Sequence, residues 1–245
     1  ENLVQLESIE IKVLPCRIDS LEHLSNNVVR VILRLPPNAN FNYLAGQYVD
    51  IIGPSAVRRS YSLASSPKLG EGKLELLVRK YQGGLMSHYW FEEAKVNDLL
   101  RLEGPLGSFF LRGKSPKNLV FLATGTGIAP VLAMVEDLIE YGIENRFDKI
   151  VCYFGCRNKN DIFFDTKKFA HGVIKFVPVF SQDAPIGARK GYVQHALLED
   201  FESLSELSVY ACGSPKMIND ARLLLVGNGL QEAKFYSDAF LPSTN

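Results

Sequence analysis

Short apolar runs separated by turn residues dominate residues 1–113. Six runs are rich in Val, Ile, Leu and Tyr and are bounded by Gly, Pro and Asn: SIEIKVLPCRI, NVVRVILRL, GQYVDIIG, RSYSLAS, KLELLVRKY and DLLRLEG. Short strands at such regular spacing are typical of an antiparallel barrel. The pattern predicts a closed or nearly closed Greek-key β-barrel over residues 1–113, interrupted by one helical stretch at residues 85–94.

The pattern changes at Asn118, after the polar segment RGKSPK at residues 112–117, which we interpret as a linker. The strand-like runs NLVFLA, KIVCYFG, VIKFVPVF and LSVYAC are each followed by an amphipathic stretch, and KFYSD forms a last strand. The expected helices read APVLAMVEDLIEYG, DIFFDTKKFA, YVQHALLEDF and SPKMINDARLLLVGNG. Alternation of this kind predicts a second domain, residues 114–245, with a doubly wound parallel sheet.

Composition excludes several classes of protein. Lys plus Arg and Asp plus Glu both number 27, so no excess of positive charge marks a nucleic-acid-binding or membrane-binding surface. No run approaches the roughly 20 apolar residues that cross a bilayer, and no signal peptide is evident, which predicts a cytoplasmic protein. The four cysteines and four histidines lack metal-site spacing, and no metal is expected.

The strand RRSYS contains three side chains that would suit a flavin. Alternation places Arg59 and Tyr61 on one face, with Ser62 at the end of the strand. The guanidinium would bind a phosphate, the phenol ring would pack on the isoalloxazine, and the hydroxyl would lie near N5. The alternative is an ordinary barrel strand with one solvent-reaching Arg and a core Tyr.

Glycines open the expected helix in the barrel half. Gly83 and Gly84 precede Leu85, Met86 and Ser87, and the free N–H groups of a helix N-terminus favour a pyrophosphate. Ser87 would cap the helix or bind a phosphate oxygen. A plain turn with a serine near the helix start explains the same residues.

Two further glycine turns follow strands of the second half. Gly125, Thr126 and Gly127 come directly after NLVFLA, with Pro130 in the first helical turn, as expected for a nucleotide site. The third glycine of the usual dinucleotide motif is missing, so a structural turn is the alternative. The segment YACGSP places Cys212 at the end of another parallel strand, where ligands of doubly wound sheets bind. A buried structural cysteine is the alternative there.

Taken in order, RRSYS, GGLMS, GTGIAP, YACGSP and FYSDAF resemble the motif series of the ferredoxin–NADP reductase superfamily. The chain most resembles the NADH-dependent branch that serves multicomponent oxygenases and the CDP-6-deoxy-hexulose dehydrase reductases. The resemblance implies an FAD-binding barrel and an NAD-binding α/β domain. It also implies catalytic roles for Ser62, Cys212, Asp238 and Phe240. Further cofactor contacts implied by it are Arg59, Ser60, Tyr61, Val78, Lys80, the 83–87 segment, Gly125, Thr126, Gly127, Pro130, Gly213, Ser214 and Pro215.

The resemblance also bears on the second cofactor and on the electron acceptor. NADP-specific relatives hold the 2′-phosphate with cationic side chains after the second strand, whereas Arg157 is followed here by Asp161, which favours NADH while leaving NADPH open. The implied acceptor is a [2Fe–2S] ferredoxin domain or protein, or an oxygenase or dehydrase component, and a fused ferredoxin domain preceding Glu1 is one possibility. A reductase of free flavin and a non-catalytic nucleotide-binding subunit are the rival interpretations.

Overall fold

The computed structural model describes residues 9–68, 72–112, 117–142 and 147–239. The chain divides into two compact units. The first contains residues 1–113 together with 132–137, and the second contains residues 114–131 together with 138–245. Most of the expected linker, residues 113–116, lies outside the described residues. No helix within the described ranges is long and apolar enough to span a membrane.

The first unit is a six-stranded antiparallel barrel, which confirms the predicted architecture. Its strands in spatial order are β4, β3, β6, β1, β2 and β5. A bridge between Leu63, which follows β4, and Leu76 of β5 joins the two edges, so the barrel is nearly closed. The strand bounds are β1 Lys12–Ser25, β2 Val28–Arg34, β3 Tyr48–Ile52, β4 Arg58–Ser62, β5 Lys73–Arg79 and β6 Leu99–Leu106.

Alternation along the strands divides the barrel into an apolar core and an ionic exterior. In β2, Val29, Val31 and Leu33 are fully buried, and each such side chain contributes roughly 1.5–3 kcal/mol relative to exposure. The intervening Arg30 forms a two-point ion pair with Glu75 of β5. The side-chain period of two therefore determines which face of each strand is buried.

The helical interruption lies where the sequence predicts it but is not one regular helix. Helix α1 spans only Leu85–His88, and the chain continues as a π-helical turn over Tyr89–Glu93. The backbone N–H of Ala94 donates to the carbonyl of Tyr89, five residues earlier, at 2.8 Å. This wider turn directs Trp90 into the barrel core, where 2% of its surface is exposed.

The second unit contains a six-stranded sheet in the order β10, β9, β8, β7, β11 and β12, with every pair parallel. Its strands are β7 Asn118–Thr124, β8 Lys149–Asn158, β9 Ile174–Asp183, β10 Arg189–Lys190, β11 Leu207–Gly213 and β12 Phe235–Ala239. Strand order reverses between β7 and β11. In doubly wound sheets, ligands bind beyond the carboxyl ends of the strands at such a switch point.

Within the described residues, three α-helices follow strands of this sheet: α2 Ile128–Tyr141, of which residues 132–137 belong to the first unit, α3 Val193–Asp200 and α4 Pro215–Gly227. Side chains of α3 and α4 pack on one face of the sheet in a single apolar cluster, which includes Val151 and Tyr153 of β8. The hydroxyl of Tyr153 donates to Asp200 at 2.7 Å, and Arg189 forms a two-point ion pair with the same carboxylate. These bonds join β8, β10 and α3.

The expected helix at DIFFDTKKFA is wrong. The segment contains only 3₁₀ turns at Lys159–Asp161 and Thr166–Phe169. The Asp165 side chain accepts a hydrogen bond from the backbone of Lys167, a local bond that competes with helix formation. Its aromatic rings also form a cluster with the sheet, since Phe164 lies 5.0 Å from Phe154 of β8 between ring centroids. Tertiary packing therefore replaces the amphipathic helix that periodicity predicts.

Candidate functional site

Strand β4 contains two arginines that differ in their ion pairing. Arg58 is paired with Asp50 and Glu103, which neutralise its charge. Arg59 is half-buried, and its guanidinium donates only to the carbonyl of Arg58 at 2.7 Å, with no carboxylate partner among the described residues. Arg59 is therefore the cation of this strand that an anionic ligand can bind without first breaking an ion pair.

Tyr61 lies two residues further along β4, on the same face as Arg59. Its hydroxyl oxygen accepts a hydrogen bond from the indole N–H of Trp90 at 2.9 Å, and the two rings are almost perpendicular at 86°. Burial raises the pKa of Tyr61 to about 12, so the phenol is neutral at physiological pH. The ring is held by the fold before any ligand binds.

The two serines of β4 differ in their surroundings. The Ser60 hydroxyl donates to Asp50 at 2.5 Å, on the face that carries Arg58. Ser62 is buried, with 6% of its surface exposed, and its hydroxyl has no hydrogen-bond partner among the described residues. Of the two hydroxyls, Ser62 is the one left to bind a ligand, whereas any cofactor contact of Ser60 would be through its backbone.

The GGLMS segment forms a tight turn followed by α1. Gly83 has a φ of +76°, a conformation that other residues rarely adopt, and no atom would obstruct a Cβ placed there. Gly84 is the N-cap residue of α1 and has no side-chain cap. Ser87 is not the cap, because its hydroxyl accepts from the backbone N–H of Tyr81 at 2.8 Å.

The remaining predicted contacts of the barrel are distributed between its core and its surface. Val78 and Met86 are buried in the core cluster, so a cofactor would reach Val78 only through its backbone. Lys80 forms an ion pair with Glu92 at 2.8 Å. Leu85 is exposed at 63%.

Two aromatic residues near Tyr61 were missed by the sequence interpretation. Tyr81, exposed at 47%, is close enough to Tyr61 to contribute to its raised pKa, after the larger effect of burial. Its position directly before the glycine pair was the available signal. Trp90 was counted only as part of a helical stretch, and no sequence periodicity indicates its bond to Tyr61.

The two glycine turns of the second unit are in direct backbone contact. Gly127 follows β7, and a Cβ there would overlap the carbonyl group of Cys212 and lie 2.7 Å from the Cα of Gly213. Gly213 has a φ of +141°, and a Cβ there would lie 2.9 Å from the carbonyl oxygen of Thr124. Only glycine at both positions permits this approach, so the GTG and CGS segments form one continuous surface at the switch point.

Hydrogen bonds hold this surface together. The backbone N–H of Ser214 donates to the Thr124 hydroxyl at 3.2 Å, and the Ser214 hydroxyl caps α4 by accepting from Met217. Pro215 is at the first position of α4, where its missing N–H costs nothing. The other predicted contacts of this region are Gly125, with a φ of +54°, Thr126, exposed at 6%, and Pro130, in the first turn of α2.

Cys212 and Asp238 are register partners on the adjacent strands β11 and β12. Cys212 is fully buried, and burial raises the pKa of its thiol well above the usual value, so the thiol is protonated. Burial also raises the pKa of the half-buried Asp238 to about 6. Phe240, for which the resemblance implies a catalytic role, lies outside the described residues.

Arg157 and Asp161 lie at the end of β8 and neutralise each other. The Arg157 guanidinium donates to both carboxylate oxygens of Asp161 at 3.1 Å, and its backbone N–H donates to the same carboxylate at 2.8 Å. The arginine would have to leave this pair before binding a phosphate.

Asp238 gives the protein a pH-dependent stability that we expect to measure. Its folded-state pKa of about 6 exceeds the usual value, so its contribution to stability is fully present below about pH 4 and is lost as pH rises through 6. We expect Asp238→Asn to match the parent at pH 4 and to be more stable by on the order of 2 kcal/mol at pH 8, in urea unfolding. Asp183→Asn, at an exposed position at the end of β9, is the control, and an equal offset for Asp238→Asn at every pH would contradict the assignment.

Comparison with protein-family models assigns both halves of the chain. Residues 15–111 match the model of an oxidoreductase FAD-binding domain, and residues 121–223 match that of an oxidoreductase NAD-binding domain. The two matches follow the barrel and the parallel sheet in order. The chain is therefore an oxidoreductase that combines an FAD-binding and an NAD-binding domain.

Two relatives indicate the branch of the family to which the chain belongs. The chain is 44% identical to a CDP-6-deoxy-L-threo-D-glycero-4-hexulose-3-dehydrase reductase of Yersinia pestis, over 98% of this chain and 72% of the relative. It is 32% identical to the toluate 1,2-dioxygenase electron transfer component of Pseudomonas putida, over 92% and 67% of the two chains.

A similar structure is the cytochrome P450 reductase GcoB from Amycolatopsis, with a TM-score of 0.87 and 27% identity over 96% of this chain and 71% of that one. The fold is shared with a ferredoxin NADP⁺ reductase from Neisseria gonorrhoeae, with bound FAD and NADP, at a TM-score of 0.81 and 22% identity over 94% and 99% of the chains. The chain belongs to the ferredoxin–NADP reductase superfamily, in the branch of the dehydrase reductases and dioxygenase reductase components.

Proposed function

We propose that this chain accepts a hydride from NADH on a tightly bound FAD and delivers the electrons singly to a [2Fe–2S] centre of a dehydrase or oxygenase system. The observation that carries the proposal is that one chain contains two features. Arg59, which has no carboxylate partner among the described residues, lies beside Tyr61 on β4, and the order of strands reverses between β7 and β11, as it does at dinucleotide sites. The relatives named as dehydrase reductase and dioxygenase electron transfer component support the choice of acceptor.

The barrel residues fit an FAD. Arg59 supplies a positive charge that no carboxylate of the described ranges pairs with, and Gly83 leaves open space at the start of α1, as a pyrophosphate requires. Tyr61 offers a ring of fixed orientation, and Ser62 offers an unused hydroxyl. When bound, FAD supplies the hydride acceptor and the ability to release electrons one at a time. The protein contributes binding, orientation and exclusion of water.

The second unit fits a nicotinamide dinucleotide. Close packing of Gly127 against Cys212 and Gly213 leaves the carboxyl edge of the sheet free of side chains at these glycines. Cys212 is fully buried, so we assign its thiol to the layer directly beneath the nicotinamide surface, where the backbone of this residue contacts the ligand. Burial raises the pKa of the thiol and keeps it uncharged there. The Arg157–Asp161 pair supports NADH over NADPH.

Anaerobic mixing with NADH tests the proposal. We expect purified protein to retain FAD through gel filtration, to lose the visible flavin absorbance on mixing with NADH, and to reduce a [2Fe–2S] ferredoxin. Ser62→Ala should slow flavin reduction by at least about tenfold, because a hydrogen bond near the reacting atoms is lost. Cys212→Ala should slow it too, and Ser20→Ala, on the exterior of β1, should not.

Three outcomes would contradict this function. Loss of flavin on the column would favour a reductase of free flavin. Retained flavin that NADH does not reduce would favour a nucleotide-binding subunit. Parent rates in both Ser62→Ala and Cys212→Ala would remove the roles assigned to these side chains.

Gly127→Ala tests the assignment of the switch point. The added methyl group overlaps backbone atoms of Cys212, so we expect the unfolding free energy to fall by roughly 1–3 kcal/mol. NAD⁺ affinity should fall by about tenfold, which corresponds to about 1.4 kcal/mol, because the two turns separate. Gly227→Ala is the matched control, since no atom lies within 4 Å of its Cβ. Unchanged stability and NAD⁺ affinity in Gly127→Ala would contradict the assignment.

Asp161→Asn tests nucleotide preference. Removing the carboxylate charge frees Arg157 for a 2′-phosphate, so we expect the ratio of kcat/KM for NADPH to that for NADH to rise about tenfold. Asp165→Asn, in the same segment, should leave the ratio unchanged. A ratio that stays at the parent value in Asp161→Asn would show that the ion pair does not determine preference.

A further inference from the structure

Trp90 is the one tryptophan of the chain and occupies an unusual backbone position. It lies in the π-helical turn Tyr89–Glu93, a rare geometry that is often found at functional sites. Its side chain is buried in the barrel core at 2% exposure. An apolar residue would fill such a position, so the indole N–H requires a separate explanation.

Contacts with Tyr89 hold the ring of Trp90 in place. Tyr89 packs against it with ring centroids 5.1 Å apart, and the Tyr89 hydroxyl donates to Asp98 at 3.0 Å. Asp98 also accepts from the backbone N–H of Lys95 at 2.9 Å. These contacts leave the indole little freedom to rotate, so its N–H has a defined direction.

That N–H donates to the hydroxyl oxygen of Tyr61 at 2.9 Å, and the polarity of this bond cannot be reversed. An indole nitrogen only donates, so the Tyr61 oxygen must be the acceptor. The hydroxyl proton of Tyr61 therefore points away from the indole nitrogen of Trp90. Within residues 9–68, 72–112, 117–142 and 147–239, no acceptor takes a hydrogen bond from it.

We propose that Trp90 is a positioning residue that orients the Tyr61 hydroxyl as a hydrogen-bond donor to an oxygen acceptor of the bound FAD. The inference rests on the proposed placement of FAD against Tyr61. Because the ring and the hydroxyl proton of Tyr61 are ordered before binding, less binding free energy is lost in ordering them when FAD binds. Trp90 acts through Tyr61 and need not touch the flavin.

A double-mutant cycle isolates this bond. Protein stripped of flavin is titrated with FAD, and affinity is read from flavin fluorescence in the parent, Trp90→Phe, Tyr61→Phe and the double variant. We expect each single variant to bind about five- to tenfold more weakly, as for loss of one hydrogen bond. The double variant should be no weaker than Tyr61→Phe, because both substitutions disrupt the same unit.

Two further measurements separate positioning from packing. Thermal unfolding should show that Trp90→Phe remains folded, and Phe41→Leu, at another aromatic ring that packs against the barrel core, should bind FAD as the parent does. In the parent, FAD should quench the emission of Trp90, which reports the proximity of the flavin independently of turnover.

The outcomes distinguish this inference from the proposed function. Two outcomes would overturn the role of Trp90 while leaving the FAD site intact. In the first, Tyr61→Phe binds FAD more weakly but Trp90→Phe binds it as the parent does. In the second, both single variants bind more weakly and their losses add in the double variant. Parent affinity in Tyr61→Phe together with unquenched Trp90 emission would overturn the FAD site on β4, and the role of Trp90 with it. Non-additive losses with quenching support both.

Discussion

The second unit depends on one backbone contact, that of Gly127 against Cys212 and Gly213. Parallel strands bring their carboxyl ends to one edge, but side chains would normally keep the following turns apart. Here both positions lack a Cβ, so the turns after β7 and β11 touch, and the N-termini of α2 and α4 begin beside each other. The Thr124 hydroxyl then bonds across the junction to Ser214. A surface made of glycine backbone and helix N-termini is suited to a dinucleotide because it combines free space with positive potential.

The barrel has a cation and a flat ring, those of Arg59 and Tyr61, on a strand that is also part of the nearly closed sheet. Alternation along β4 separates the tasks. Arg58 bonds to Asp50 and Glu103 on one face, which ties β4 to its neighbours. Arg59 and Tyr61 occupy the other face, where no carboxylate from the part of the chain that the structure describes neutralises the guanidinium. The π-helical turn supplies the anchor for Tyr61 from a separate element, so the ring is fixed without help from the strand itself.

The parts of this structure that follow from local pattern were predictable, and those that depend on distant contacts were not. The barrel strands and the parallel sheet are strongly periodic, and glycines directly after two apolar runs locate the turns that follow β7 and β11. The helix at DIFFDTKKFA failed because Phe164 and Phe169 pack on β8 and β9, which periodicity cannot reveal. The Trp90–Tyr61 bond joins residues that are 29 positions apart, and Trp90 lies in a π-helical turn that no local sequence pattern predicts. The pairing of Arg157 with Asp161 was not predicted, although the sequence places both residues in one short segment.

The central proposal is that a nicotinamide dinucleotide lies across the junction of β7 and β11. A crystal structure of the FAD-loaded protein with NAD⁺ tests this most directly. We expect the dinucleotide to contact the backbone of Gly125, Thr126 and Gly127 on one side and of Cys212 and Gly213 on the other. A dinucleotide bound away from both turns, in a protein whose flavin NADH still reduces, would contradict a nicotinamide site at the junction of β7 and β11.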